Sequence, residues 1–153
     1  MPTAREIMTP QPITVSPDLP IERLAAVLWE KRISGAPVVD ADGQLLGVVT
    51  ESDLVDRAKK VHLPTVVTLL DAFLVLERPS KLESEWRKLT ASTVADIMTR
   101  HPVTVDGETS LEEVATIMAE RRLHTLPVTK AGRLVGVIGK ADIIRTLARP
   151  AGS

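Results

Sequence analysis

Apolar residues recur at helical spacing twice along the chain. Ile21, Leu24, Ala25 and Leu28 stand at i, i+3, i+4 and i+7, and so do Leu111, Val114, Ala115 and Met118. That period puts each set on one face of an amphipathic helix. Each helix pattern is followed by a β-branched run, Pro37-Val38-Val39 or Pro127-Val128-Thr129. A turn comes next, Asp42-Gly43 or Ala131-Gly132, and then a second apolar run at 45–49 or 134–138. Two such runs around Asp-Gly predict a hairpin. A second helix is expected to start near Thr50 or Gly139, and a short strand, Ile13-Thr14-Val15 or Val103-Thr104-Val105, precedes the first helix. Pro20 suits the first turn of that helix in one half. Thr109 with Glu112 reads as a capping box in the other. The predicted order is β-α-β-β-α, twice.

The two halves are copies of one unit. Ile7-Met8-Thr9 recurs as Ile97-Met98-Thr99 and Pro12-Ile13-Thr14-Val15 as Pro102-Val103-Thr104-Val105, at an offset of 90. One deletion opposite Asp42 changes the offset to 89, and Asp53 then falls on Asp142. The aligned stretches share 18 of 50 positions, too many for unrelated segments. A unit that cannot bury its apolar face alone is expected to pack on its copy, here face to face around a pseudo-two-fold axis. Between the copies, 63–76 is too apolar for a free linker, and 77–89 reads as a charged helix with Leu82, Trp86 and Leu89 on one side. The segment either covers an exposed face of the fold or presents a partner surface.

Composition narrows the function. Lys plus Arg number 19 and Asp plus Glu 20, for a net charge of −1, which argues against binding nucleic acid by phosphate neutralisation. Aromatic residues are 2%, too few for stacking platforms on single strands. The chain has no Cys, and His62, His101 and His124 form no ligand spacing. The longest apolar stretch, 66–76, is shorter than the ~20 residues of a membrane span. The N-terminal MPTAREIM carries no apolar signal core. No membrane association and a cytoplasmic setting are expected. There is no P-loop, GxSxG elbow or GxGxxG, so an enzyme is not expected.

The run Ile7-Met8-Thr9, Pro12-Ile13-Thr14-Val15, Gly35-Ala36-Pro37-Val38-Val39-Asp40 and Gly47-Val48-Val49-Thr50-Glu51-Ser52-Asp53-Leu54 resembles a cystathionine-β-synthase (CBS) motif. Leu126-Pro127-Val128 and Gly136-Val137-Ile138-Gly139-Lys140-Ala141-Asp142-Ile143 close a second one. The set is similar to a stand-alone tandem CBS pair, a Bateman module. The resemblance implies an α/β fold with motif 1 at 1–56, a connecting segment at 57–91 and motif 2 at 92–148. It implies a regulatory module that binds adenine nucleotide (AMP, ADP or ATP) between the repeats, needs no cofactor, dimerises with itself and signals to a separate protein. Two alternatives stay open: a dimerisation module with empty clefts, and a sensor of S-adenosylmethionine or NAD.

Thr50-x-x-Asp53 at a helix start has two readings. It is an acidic capping pair, or Asp53 accepts from a ribose diol while the helix N-terminus and the Thr hydroxyl meet phosphate. Asp142 recurs where Gly139 replaces the hydroxyl, so the second cleft is expected to bind more weakly; Lys140 beside it could meet phosphate. The family resemblance implies that the turns Gly35-Ala36-Pro37 and Thr125-Leu126-Pro127, and the strands at Thr14 and Thr104, meet base and sugar through backbone. Leu126 is expected to fill space that Ala36 leaves open. His124 resembles a phosphate-contacting His in the γ subunits of AMP-activated kinase. Lys31, Arg32, Arg121 and Arg122 read either as a cationic rim or as helix C-terminal cations.

Overall fold

The computed structural model describes residues 2–60 and 92–149. The runs at 63–76 and 77–89 lie outside the described residues. In chain order the elements are α1 (Ala4–Ile7), β1 (Thr9–Pro10), α2 (Ile21–Lys31), β2 (Gly35–Val39), β3 (Leu45–Thr50), α3 (Glu51–Lys60), α4 (Val94–Ile97), β4 (Thr99–Arg100), α5 (Leu111–Glu120), β5 (Thr125–Lys130), β6 (Arg133–Gly139) and α6 (Lys140–Ala148). The fold is mixed α/β, with two three-stranded sheets.

The hairpins form where local chemistry demands them. In the β2–β3 turn the Asp40 carboxylate accepts from the Asp42 and Gln44 N–H groups, both at 2.9 Å. Gly43 then takes φ +83°, which favours glycine. The β5–β6 turn is one residue shorter. Ala131 (φ 53°) and Gly132 (φ 81°) both turn left-handed there, as a two-residue hairpin with the right twist requires.

The leading segment of each motif is exchanged. β1 adds to the hairpin of the second repeat, with Thr9 opposite Val137 and Pro10 opposite Gly136. β4 adds to the hairpin of the first, with Thr99 opposite Val48 and Arg100 opposite Gly47. The short helices go with them. Ala4 and Ile7 are buried among Val105, Val114, Met118, Leu126, Val128 and Ile138. Val94 is buried among Val15, Leu24, Leu28, Ala36, Val38 and Val49. Two glycines recur at the crossing point for a steric reason. A Cβ on Gly47 would stand 2.5 Å from the Thr99 carbonyl oxygen, and one on Gly136 would collide with the Met8 sulfur.

Four local expectations change. The strand at 13–15 contracts to a single parallel bridge, Val15 with Val38, and its copy to Val105 with Val128. Val15 still ties both ways into β2, donating to the Pro37 carbonyl at 3.0 Å and accepting from Val39 N–H at 3.1 Å. Ala25 is exposed; α2 buries Ile21, Leu24 and Leu28. Pro20 is the residue before the helix rather than in its first turn. Ser110, not Thr109, caps α5, its hydroxyl accepting from Glu113 N–H at 3.1 Å. Thr109 instead bonds Asp106. Among the described residues no helix is long and apolar enough to cross a membrane.

Candidate functional site

The two hairpins meet back to back at Gly35 and Thr125. A Cβ on Gly35 would lie 2.7 Å from Thr125 Oγ1 and 3.0 Å from the Val49 carbonyl. A side chain at 35 would therefore push the repeats apart. This approach sets the start of α3 against residues 122–125 of the other repeat. Between them lies a cleft of 280 Å³, with Thr50, Ser52 and Asp53 on one wall and His101, Arg122, His124 and Thr125 on the other. The candidates Thr50, Asp53, His124 and Thr125 thus come together across the repeats. The expected turns at 35–37 and 125–127 are instead the first residues of strands β2 and β5, paired along β3 and β6; Gly35 stands opposite Thr50 in its hairpin, but the wall facing Asp53 comes from the second motif.

Asp53 is half used by the fold. Its Oδ2 accepts from Thr50 N–H at 2.8 Å and from the Thr50 hydroxyl at 3.1 Å, while Asp53 N–H reaches Thr50 Oγ1 at 3.3 Å. The capping reading is therefore correct for one oxygen. Oδ1 accepts no hydrogen bond among the described residues, and Asp53 lines the cleft. A carboxylate that is held by one oxygen and open at the other can still accept from a diol.

Asp142 is built differently. Gly139 N–H donates to its Oδ2 at 2.8 Å, so the carboxylate half of the cap survives without a hydroxyl. Its Oδ1 takes both the Thr9 hydroxyl at 2.9 Å and the Arg145 guanidinium at 2.6 Å. The same Arg145 nitrogen lies 3.4 Å from the Ile7 carbonyl. Asp142 is 6% exposed. Sterics do not demand the glycine: a Cβ at 139 would meet neighbours only at 3.6 and 3.7 Å. At the pseudo-equivalent of Arg145 the first repeat carries Asp56, so no such latch forms on Asp53.

The remaining candidates divide by burial. Ala36, Pro37, Leu126 and Pro127 are fully buried. Leu126 lies in the core of the second repeat and Ala36 in that of the first. The expectation that Leu126 fills space in a cleft is corrected: the difference in size is taken up inside the two cores. Thr14 and Thr104 are exposed, beside Ile13 and Val103. Of the four cations only Arg122 lines this cleft. Arg122 and Arg32 hold matching left-handed conformations at the ends of their helices, φ 54° each. Sequence reading passed over His101. It follows β4 with φ 53°, and the exchange of that strand brings it to Asp53.

A second Thr-x-x-Asp, Thr93 with Asp96, shows the same cap on α4. Thr93 N–H donates to Asp96 Oδ2 at 2.8 Å. That bond, with the Thr93 hydroxyl and the Arg57 charge, holds the carboxyl below its usual range against the opposing cost of burial. A depressed pKa adds stability above the pKa of the unfolded chain and loses it as pH falls through the folded value. Asp96→Asn should therefore flatten the acid side of the stability profile and leave its shape above neutral pH unchanged, as read by thermal melts across pH.

Two segments of the chain, 4–60 and 94–149, match the model of the CBS domain family. The chain is 32% identical over 140 residues to the CBS domain-containing protein CBSX1, chloroplastic, of Arabidopsis thaliana, covering 86% of this chain and 57% of that protein. It therefore spans little more than half of that relative. It is 28% identical over 147 residues to the uncharacterized protein MJ1426 of Methanocaldococcus jannaschii, covering 90% and 86%. The crystal structure of CBSX2 in complex with AMP is similar with a TM-score of 0.74 at 27% identity, covering 96% of each chain.

Proposed function

This chain belongs to the CBS-domain family, and on that premise we propose that it senses an adenosine-containing nucleotide (AMP, ADP or ATP) in the cleft between its repeats. The observation that carries the reading is the Asp53 carboxylate. One oxygen is fixed by Thr50 and the other is open in a cleft faced by Arg122 and two histidines. An acceptor for a ribose diol on one wall and donors for phosphate on the other match the two ends of a nucleotide. The AMP held by the related CBSX2 supports the same choice of ligand. In this reading the chain regulates rather than catalyses. It acts in the cytoplasm as an isologous homodimer, and its ligand state is read by a separate protein.

The test is a calorimetric and melting screen with AMP, ADP, ATP, S-adenosylmethionine and NAD. An adenine nucleotide at 100 times its dissociation constant should stabilise the native state by about 2.7 kcal/mol. A screen in which no adenine nucleotide moves the melting temperature or gives heat would leave the module without a nucleotide.

A further inference from the structure

The two motif aspartates differ in how much of each carboxylate the fold consumes. A carboxylate offers about four acceptor positions, shared equally between its oxygens. On Asp53 the N–H and hydroxyl of Thr50 take both positions of Oδ2, and Oδ1 accepts nothing among the described residues. On Asp142 the Gly139 N–H takes one position of Oδ2. The Thr9 hydroxyl and the Arg145 guanidinium take both positions of Oδ1. A ribose diol brings two hydroxyls and needs two free acceptor positions. Asp53 has them on Oδ1. Asp142 keeps one, on a side chain only 9% exposed.

The surroundings of Asp142 are also poorer in donors, although the backbone frame repeats. Gln11 holds φ 50° where His101 holds 53°, and Arg32 matches Arg122 at 54°. On that shared frame Gln11 replaces His101, Ser34 replaces His124 and Gly35 replaces Thr125. Both histidines are lost, and Arg32 alone repeats a cation of the Asp53 cleft. Lys140 stands where the first repeat has Glu51, but it edges the groove between α5 and α6, beside Arg122 and His124. Arg145 stands where the first repeat has Asp56 and is spent on Asp142.

We propose that Arg145 closes the second cleft by occupying the carboxylate oxygen that a nucleotide would need, so that each chain takes one adenine nucleotide, at Asp53. This rests on the nucleotide reading given above and specifies its stoichiometry. Arg145 lies one turn along α6 from Asp142. It therefore competes as a tethered group, at an effective concentration on the order of millimolar. A ligand at Asp142 would have to displace the guanidinium, which also reaches the Ile7 carbonyl at 3.4 Å. Both Arg145 and the Thr9 hydroxyl tie the exchanged α1–β1 segment to α6. The second aspartate is thus a strut for that segment, and the first is the sensor.

Equilibrium dialysis of the full chain with AMP and with ATP should give one nucleotide per chain. Arg145→Ala removes a side chain that is half exposed, and it frees one position on Oδ1 beside the one already free on Oδ2. It should add a second binding event, tenfold or more weaker than the first because the histidines are missing. Arg145→Gln, which keeps the aliphatic stem, should do the same with less lost packing. Arg145→Lys, which keeps a tethered cation, should stay at one. A purely structural ion pair would lower the melting temperature of Arg145→Ala and leave the count at one. A count of one in both neutral variants therefore overturns the proposal. Two nucleotides per chain in the parent also overturn it, and a loss of one of them in Arg145→Ala makes Arg145 a phosphate ligand instead. A parent that binds neither AMP nor ATP removes the nucleotide reading and this stoichiometry with it.

Discussion

Residues 1–55 cut free from the rest of the chain are expected not to fold. The fragment keeps α1 and β1, whose hydrogen-bonding and packing partners lie at 103–143. It loses α4 and β4, which complete its own sheet and core. Ile7 and Val94 are each buried to 1% or less. One would be left exposed in the fragment and the other absent. A buried side chain of this kind contributes about 1.5–3 kcal/mol, and a whole domain is stable by only about 5–15 kcal/mol. Circular dichroism should show no cooperative melt for the fragment. Within the intact chain, Ile7→Ala should cost about 2–5 kcal/mol, with faster amide exchange on β5 and β6 rather than on β2 and β3. A fragment 1–55 that melts cooperatively as a monomer would show that the exchange of α1 and β1 is not what holds each half together.

That prediction depends on the one part of the fold that local patterns do not carry. The hairpins were legible because an apolar run, a glycine turn and a second run lie within some fifteen residues, and the turn chemistry at Asp40, Gly43 and Gly132 is local. Helices α2 and α5 were legible from their period. Ile7-Met8-Thr9 and Ile97-Met98-Thr99 were legible as a repeat, but a three-residue segment holds no information about which hairpin it joins. The clue was in the glycines. Gly47 and Gly136 recur because a carbonyl and a methionine from the other repeat lie where a Cβ would be. The same long-range pairing explains why His101 carries no signal of the cleft in the sequence. In the sequence it stands 48 residues after Asp53 with no ligand spacing around it, and only the crossing of β4 brings the two to one cleft. Asp142 shows the reverse case. Its loss of a hydroxyl partner reads as weakening a capping role. Yet the cap needs only the Gly139 N–H, and the remaining oxygen is taken by Thr9 and Arg145 from well outside the Thr-x-x-Asp pattern.

The two aspartates should therefore separate binding from stability. Asp53→Ala removes the open Oδ1 from the cleft and a cap from a helix end. The first loss is a hydrogen bond to a charged acceptor, worth about 1.5–3 kcal/mol, or roughly tenfold or more in nucleotide affinity. The second costs about 1 kcal/mol of ligand-free stability. Asp142→Ala should do the opposite. It leaves the Thr9 hydroxyl, the Gly139 N–H and the Arg145 guanidinium without their acceptor at a nearly closed site. Each unsatisfied buried group costs about 1–3 kcal/mol. Arg145 is half exposed and Thr9 is exposed, so both can turn to water and their shares are smaller. The expected loss of stability is about 1–3 kcal/mol, carried by the contact between β1 and α6, with affinity in the Asp53 cleft close to that of the parent. Titration calorimetry of both variants with AMP and ATP, beside melts of the ligand-free proteins, reads the two effects independently. If Asp53→Ala binds nucleotide like the parent, the open oxygen has no part in binding and Asp53 is a helix cap. If Asp142→Ala melts like the parent, the bonds to Thr9 and Arg145 do not latch the exchanged segment.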